Sequence, residues 1–279
     1  MAEATDLGAV SASDAARYFL DLARKLDGRP ARSAVLAAAL ADSADVAGAL
    51  LAIARDVNKP RDLRSSAVSW AARSGGIDSL LRLTDKTDDA WLLGEAADAL
   101  SRANDARVHP QLRKLLDNRA TPEASRVKVI TALGNSDGTA SDAAALRTAY
   151  PKFTERERSA ALNALANIGD RASVKWMLDR ARDTAEAMEL RRTATQRAAR
   201  AGASAADLGA LYDAVIERDL REVVIDALAT DGSRPALDKL LSVAQAATAD
   251  ARVRRRAIAK LGESGDPRAK DLLQNIIDR

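Results

Sequence analysis

The fold is decided by one stretch near the C-terminus, Asp250-Ala-Arg-Val-Arg-Arg-Arg-Ala-Ile-Ala-Lys-Leu-Gly-Glu-Ser-Gly-Asp-Pro-Arg-Ala-Lys-Asp-Leu-Leu-Gln-Asn-Ile-Ile277. Its first half has the apolar periodicity of a helix, and a Gly-Asp turn separates it from a second periodic half. In that second half the apolar residues fall at i, i+3, i+4, i+7 and i+8, namely Ala269, Leu272, Leu273, Ile276 and Ile277. This spacing places them on one helical face. The stretch therefore predicts a helix, a turn and a second helix.

The same unit recurs about every 31 residues along the chain. Its anchor is the last apolar residue before each turn, at Leu40, Ala71, Leu100, Leu133, Leu165, Ala198, Leu228 and Leu261. A fixed period of this length indicates stacked helical repeats, and no stretch alternates with the period of a strand. We therefore predict an all-α fold, a right-handed α-solenoid of about eight repeats, each with a helix A, a turn and a helix B. The solenoid would span residues 31–279 as one domain, after an N-terminal segment and capping helix in residues 1–30.

The composition narrows the classes of function. Of the 279 residues, 47% are apolar and only 3% aromatic, which suits closely packed helices. The net charge of +3 is too small to indicate binding to nucleic acid or to an anionic membrane. There is no cysteine, so disulfides and thiolate chemistry are excluded. No signal sequence or membrane-spanning run is present, so we expect no membrane insertion and a cytoplasmic location by default, or export if a leader has been removed.

Three of the turns carry a family resemblance. The segments Leu165-Ala-Asn-Ile-Gly-Asp-Arg-Ala, Leu261-Gly-Glu-Ser-Gly-Asp-Pro-Arg-Ala and Leu100-Ser-Arg-Ala-Asn-Asp-Ala-Arg-Val resemble the HEAT repeat in its short bacterial form, the PBS lyase HEAT-like repeat. The resemblance covers residues 31–279, and the units anchored at Ala71 and Ala198 depart from it. It implies an α-solenoid that binds proteins, because HEAT-like families typically do so. A minority of such families bind DNA or modify pigments.

The resemblance also implies a structural role for acid–base pairs at the turns. In HEAT-like repeats such residues form ladders between neighbouring units. The pairs that recur in register here are Asp105 with Arg107, Asp170 with Arg171, and Asp266 with Arg268. We expect each Asp to accept amides at a helix start and each Arg to bridge to the Asp of the next unit.

The sequence offers no constellation typical of catalysis. Its one histidine, His109, has no identifiable partner for acid–base work and cannot form a histidine-based metal site alone. No phosphate-binding glycine loop or nucleophile elbow is present, and carboxylates such as Asp89 fit helix caps. We therefore predict that the protein is not an enzyme and holds no cofactor and no metal.

The residues that the repeat does not explain are a few cations on helices B and three tryptophans. By the resemblance, helices B line the concave side of the array. We predict that this surface binds another protein, with an acidic partner favoured, through Trp176, Lys175, Lys114, Arg147, Arg113 and Arg180. Trp176 lies off the core stripe of its helix, so it serves either as a binding anchor or as packing between repeats.

Two other functions remain open. A HEAT-like protein that binds nucleic acid would need a basic concave face, which the low net charge disfavours. A pigment-lyase-like factor is suggested only by the name of the repeat. The basic clusters on helices A, around Arg191 and around Arg255, are interpreted as a solvated outer face.

Overall fold

The computed structural model describes residues 10–41, 45–135 and 137–268, and every regular element in these ranges is helical. The α-helices are α1 (Ala12–Lys25), α2 (Gly28–Ala39), α3 (Ala47–Arg55), α4 (Arg61–Arg73), α5 (Ile77–Lys86), α6 (Ala90–Leu100), α7 (Val108–Asp117), α8 (Glu123–Leu133), α9 (Ala140–Ala149), α10 (Glu155–Ile168), α11 (Arg171–Arg182), α12 (Met188–Arg200), α13 (Ala205–Ala214), α14 (Arg218–Asp231), α15 (Arg234–Gln245) and α16 (Ala251–Ser264). A 3₁₀ turn, Tyr150–Lys152, follows α9. The prediction of an all-α fold is confirmed.

The helices pair as the period predicts. The even-numbered helices from α2 to α16 end at or near the anchors and are the A helices, the odd-numbered helices from α3 to α15 are the B helices, and α1 is the predicted extra helix. The last helix B, with its stripe from Ala269 to Ile277, lies outside the described residues. One anchor was wrong: Leu40 is 66% exposed, because it follows the last residue of α2, and the buried Val35 and Ala38 contribute to the core instead.

The chain divides into two compact units, Met1–Leu133 and Gly134–Arg279. In the first unit, helices A pack in chain order from α2 to α8, and α1 packs on α3 as α5 does on α7. In the second unit, the order runs from α10 to α16, with α11, α13 and α15 as the neighbouring B row. Each unit is thus a stack of helical hairpins with a core of alanine and leucine. The single domain and its right-handed course stay predictions.

Buried arginines fasten successive hairpins together. Arg191, the fourth residue of α12, donates from Nε to the carbonyl of Ala181 at 2.9 Å and from Nη1 to Glu217 Oε1 at 2.6 Å. Arg64 makes the same pair of contacts in α4, to Ala54 and Asp89. Each guanidinium satisfies a carbonyl at the end of one helix B and an acid before the next helix A. The interpretation of Arg191 as part of a solvated face was therefore wrong.

The ladder between repeats forms, but each arginine reaches back rather than forward. Arg107 pairs with Asp105 at 2.7 Å and with Asp78 of the preceding repeat at 2.8 Å. Arg268 does the same with Asp266 and with the aspartate at the matching position of the preceding repeat, Asp238. The hydrogen bonds that Asp105 accepts from Arg107, the side-chain bond first, lower the pKa of Asp105 to about 2. The charges of Arg107 and Arg268 are therefore used within the stack.

Candidate functional site

One face of α11 carries charge that the fold does not use. Arg171, Lys175, Asp179 and Arg182 fall at i, i+4, i+8 and i+11, so they form one stripe along the helix. Asp179 and Arg182 pair with each other at 3.2 Å. Arg171 and Lys175 are exposed and have no carboxylate partner in the described part of the chain. The stripe therefore keeps two uncompensated positive charges one helical turn apart.

These cations stand beside an open groove of about 940 Å³ between α11 and α13. Its volume lies within the range of roughly 300–1,000 Å³ that is typical of ligand pockets. On the α11 side, the buried side chains of Val174 and Leu178 line its base. An apolar base with two cations on its rim suits a ligand with aliphatic groups and carboxylates.

The opposite side of the groove is shaped by the turn into α13. Gly202 has a φ of 93°, which a residue with a Cβ adopts only at a cost, and this turn ends α12 and leads into α13. Ser204 caps α13, and its Oγ donates to the Asp207 carboxylate at 2.6 Å. Asp207, the acid on this side, caps α13 and forms no ion pair with Arg171 or Lys175 within the described ranges, although it keeps its negative charge.

Of the predicted binding residues, Lys175 lines this groove, whereas Trp176 faces the preceding repeat. The Trp176 ring is half-buried and meets Tyr150 edge-on, with 4.8 Å between the ring centroids and 82° between the planes. Arg180 lies over the Trp176 ring at 5.6 Å and pairs with Asp183 at 2.7 Å. Burial, with a smaller effect of Glu186, raises the pKa of Tyr150. Trp176 thus packs between repeats, the second of its two predicted roles.

Arg147 also works within the stack. Its Nη1 donates to Ser173 Oγ at 2.5 Å and lies 3.4 Å from the Asp170 carboxylate. Asp170 caps α11 by accepting from the Ser173 amide, so Arg147 on α9 is attached to the first turn of the next helix B. This takes the place of the ladder contact that we predicted for Arg171.

The remaining two predicted residues lie in the other unit, on α7. Lys114 donates from Nζ to Asp85 Oδ1 at 2.7 Å, and Gln111 donates to the same oxygen at 2.9 Å. These bonds, the one from Lys114 first, lower the pKa of Asp85. Arg113 is half-buried. The six predicted residues therefore lie on three helices B in two units, and within the second unit only Lys175 lies at the groove.

Sequence reasoning missed Arg171, which it had assigned to the ladder. The signal was in the spacing. The ladder arginines Arg107 and Arg268 follow their aspartates by two residues, whereas Arg171 follows Asp170 by one. At this shorter spacing Arg171 forms no ion pair with Asp170 among the described residues, and Arg147 approaches Asp170 instead. Arg171 is thereby left for another partner.

Within the described ranges, no three His, Asp or Glu side chains are arranged to hold a metal ion. No helix among them combines the length and the apolar character needed to cross a membrane. His109 is half-buried at the start of α7.

Comparison with known proteins supports the repeat. Residues 253–279 match the family model of the PBS lyase HEAT-like repeat, which confirms the resemblance drawn from the turns. Residues 269–279 of that match lie outside the described part of the chain. No curated protein matches the sequence.

A solved structure of human deoxyhypusine hydroxylase in complex with glycerol is similar over 82% of this chain and 88% of that chain, with 18% identity and a TM-score of 0.37. That protein is an enzyme by its name, which contradicts our prediction that the chain is not one. We withdraw that prediction. At this TM-score the similarity carries no argument for any particular activity.

Proposed function

We propose that the protein is a repeat scaffold that binds an acidic segment of another protein in the groove between α11 and α13. The observation that carries this proposal is the pair of unpaired cations, Arg171 and Lys175, above the apolar base formed by Val174 and Leu178. Charge that pairs with no carboxylate in the described ranges is available to steer a partner and fix its position. The helices that present it are already formed, so little ordering cost is added on binding.

The spacing of the cations sets the chemistry of the segment. Residues four apart on a helix lie about 5–6 Å apart on one face. Arg171 and Lys175 therefore suit two carboxylates at a similar separation, as on alternate residues of an extended peptide, which share one face, or on one turn of a helix. An aliphatic side chain on the same face as the carboxylates would reach Val174 and Leu178.

The other helix B cations argue for a local site rather than a long basic track. Lys114 is held by Asp85 at 2.7 Å and Lys239 by Asp213 at 2.6 Å. Arg147 lies against Asp170. A nucleic acid, which needs several phosphates neutralised in succession, finds these charges already matched. Duplex DNA is therefore an alternative outcome of the test rather than the proposal.

The test is fluorescence anisotropy with a short labelled peptide of Glu, Asp and Leu, compared with the same peptide carrying Gln and Asn in place of the acids. The acidic peptide should bind, and Arg171→Glu with Lys175→Glu should weaken it by at least about tenfold, or about 1.4 kcal/mol. The matched control is Lys152→Glu with Arg255→Glu. It changes the net charge equally at two exposed cations of the same unit that line neither side of the groove.

Equal loss of affinity in both double variants would show that only the net charge matters, and would refute a site at α11 and α13. Binding of the Gln/Asn peptide with the same affinity would refute an acidic partner. Tighter binding of a short DNA duplex than of the acidic peptide, lost steeply as salt rises, would replace the proposal by the nucleic-acid alternative.

A further inference from the structure

The two repeats that depart from the family pattern resemble each other. Leu63-Arg-Ser-Ser-Ala-Val-Ser-Trp-Ala-Ala-Arg-Ser-Gly75 and Leu190-Arg-Arg-Thr-Ala-Thr-Gln-Arg-Ala-Ala-Arg-Ala-Gly202 agree at seven of their thirteen positions. One lies in each compact unit. The shared residues are the leucine that opens the segment, the buried arginine of helix A, three alanines, a second arginine after the last of these alanines, and the final glycine. The two units therefore contain copies of one specialised repeat.

Both copies end in the same backbone turn. Gly75 has a φ of 80° and Gly202 a φ of 93°, the left-handed conformation that glycine adopts without a steric penalty. In each, the N–H of the residue after the glycine donates to the anchor carbonyl, of Ala71 or of Ala198, at 2.9 Å. This is the Schellman arrangement of a helix end, and it gives the last turn of α4 and of α12 the same shape.

Each of these helix ends borders a groove. In the first unit the groove holds about 360 Å³ between the ends of α4 and α6, and its apolar lining is Ala72, Ile77, Ala99 and Ala103. In the second unit it holds about 580 Å³ between the ends of α12 and α14, with an apolar lining of Ala199, Ala203, Leu208, Val223 and Ala227. Small side chains dominate both linings, which leaves room for an aliphatic side chain of a binding partner.

An arginine at the matching position lines each groove, Arg73 in the first unit and Arg200 in the second. Arg73 and Arg200 follow the matching alanines, are exposed, and have no carboxylate partner among the described contacts. Arg73 stacks on Trp70 at 4.9 Å. By contrast, the lining residue Arg102 is paired with Asp98 at 2.8 Å. Each groove thus offers one uncompensated positive charge beside an apolar surface.

We propose that each of these two grooves docks a short aliphatic segment carrying one carboxylate, so that the chain binds two copies of such a segment. The aliphatic side chain would fill the alanine-lined space, and the carboxylate would pair with Arg73 or Arg200. This proposal does not rest on the groove between α11 and α13, because its cations and its apolar lining are different residues.

Two acids, Asp226 and Asp231, line the groove of the second unit, and no acid in the described ranges lines the other groove, which predicts unequal affinities. Asp226 is paired with Arg256 at 2.5 Å, so Asp231 is the acid that matters here. Asp231 lines the groove of the second unit, where its Oδ1 accepts from the Ser233 amide at 2.9 Å and no cation of the described residues pairs with it. A carboxylate on the incoming segment is repelled there, so this site is the weaker one. Asp231→Asn keeps an acceptor for the Ser233 amide while removing the charge, so it should tighten the weaker site by several-fold and leave the other unchanged.

The test is isothermal titration calorimetry with a short peptide of Leu and Ala that carries a single Glu, in an Arg171→Glu/Lys175→Glu background that silences the other groove. Two peptides should bind per chain. Ala72→Trp and Ala199→Trp fill one groove each, so each should reduce the stoichiometry from two to one, and together they should abolish binding. Ala251→Trp, at an exposed alanine outside both grooves, is the matched control and should leave two sites.

Arg73→Glu and Arg200→Glu, which change exposed side chains only, give the same reading without filling the space: each should weaken one site by about tenfold. A stoichiometry below two, or two sites that survive both tryptophan variants, would overturn the proposal. So would a peptide with Gln in place of Glu that binds as tightly. Sedimentation that showed a dimer dissociated by Ala72→Trp would assign that groove to a second copy of the chain instead.

Discussion

Helices α7 and α11 carry their candidate residues at the same two positions and use them differently. Arg113 and Lys114 on α7 correspond to Lys175 and Trp176 on α11. At the second position both helices contact the preceding repeat, since Lys114 bonds to Asp85 and Trp176 packs on Tyr150. A prominent side chain at that position therefore serves the stack, whether it is charged or aromatic. Function specific to this chain has to be sought at positions that the stack leaves alone.

The first turns of the same helices show the complementary difference. Arg107, just before α7, is bound by two aspartates, whereas Arg171 at the start of α11 has no carboxylate partner in the part of the chain that the structure describes. An arginine in the ladder and an arginine beside a groove are the same residue type at nearly the same place. What separates them is that acids of its own turn and of the preceding repeat pair with Arg107, whereas no acid of the described residues pairs with Arg171. Variants of Arg191, Arg147 and Lys114 test the distinction between cations that hold the stack together and cations that remain for a partner.

The largest effect is expected at a cation that the stack encloses. Arg191→Ala removes the donor to the Ala181 carbonyl and leaves Glu217 without its guanidinium. Breaking a buried pair in this way costs about 3–5 kcal/mol, and because Glu217 keeps some contact with water we expect about 3 kcal/mol less stability. Urea unfolding measures it. The control Arg255→Ala, at an exposed position, should stay within about 0.5 kcal/mol.

A loss below about 1 kcal/mol for Arg191→Ala would mean that the buried arginines do not fasten successive hairpins. The equivalent Arg64→Ala offers an independent check in the other unit, because its contacts to Ala54 and Asp89 have the same arrangement.

An intermediate effect is expected for Arg147, which belongs to the stack although it was predicted to bind a partner. Arg147→Ala removes the bond to Ser173 and the approach to Asp170. Hydrogen bonds of charged groups contribute about 1.5–3 kcal/mol, and at this long, partly hydrated pair we expect about 1–2 kcal/mol of lost stability. Affinity for the acidic peptide should not change. Lys175→Ala is the matched variant, and it should show the reverse: unchanged unfolding and weaker binding.

A small effect is expected for Lys114, whose pair with Asp85 is largely hydrated. Exposed ion pairs contribute between about 0.2 and 1 kcal/mol, so Lys114→Ala should lower the free energy of unfolding by less than about 0.5 kcal/mol. Its affinity for the acidic peptide should equal that of the unaltered protein. A marked loss of affinity would restore Lys114 as a binding residue and would place a second site on α7.

The sequence predicted the parts of this structure that repetition controls. The period and the apolar helical faces located the helix pairs. Each repeat has to bury one apolar face, and this fixes the spacing of anchors such as Leu133, Leu165 and Leu261. The binding surface was not predictable in the same way. Whether Arg171 or Arg147 meets Asp170 depends on a one-residue difference in spacing and on the approach of another helix. Such differences are invisible to a periodic pattern, so the sequence alone could not separate the cations that pair within the stack from those that have no partner among the described residues.

The smallest expected effect is a shift in the pKa of one carboxyl group, Asp85. It also tests whether a cation holds the stack together or remains for a partner. The bonds from Lys114 and Gln111 lower the pKa of Asp85, so the folded state favours its ionised form. The stability contributed by this pair is therefore present above the ordinary Asp pKa near 3.8 and is lost as the pH falls through the lowered pKa of the folded state. In Lys114→Ala the Asp85 pKa should rise towards 3.8, as followed by NMR of the carboxyl carbon. Asp105, held at about 2 by Arg107, should not move, because its partner is intact. If Asp85 failed to shift, Lys114 would not be engaged in the stack in solution, and α7 would have to be counted with α11 as a helix with available charge.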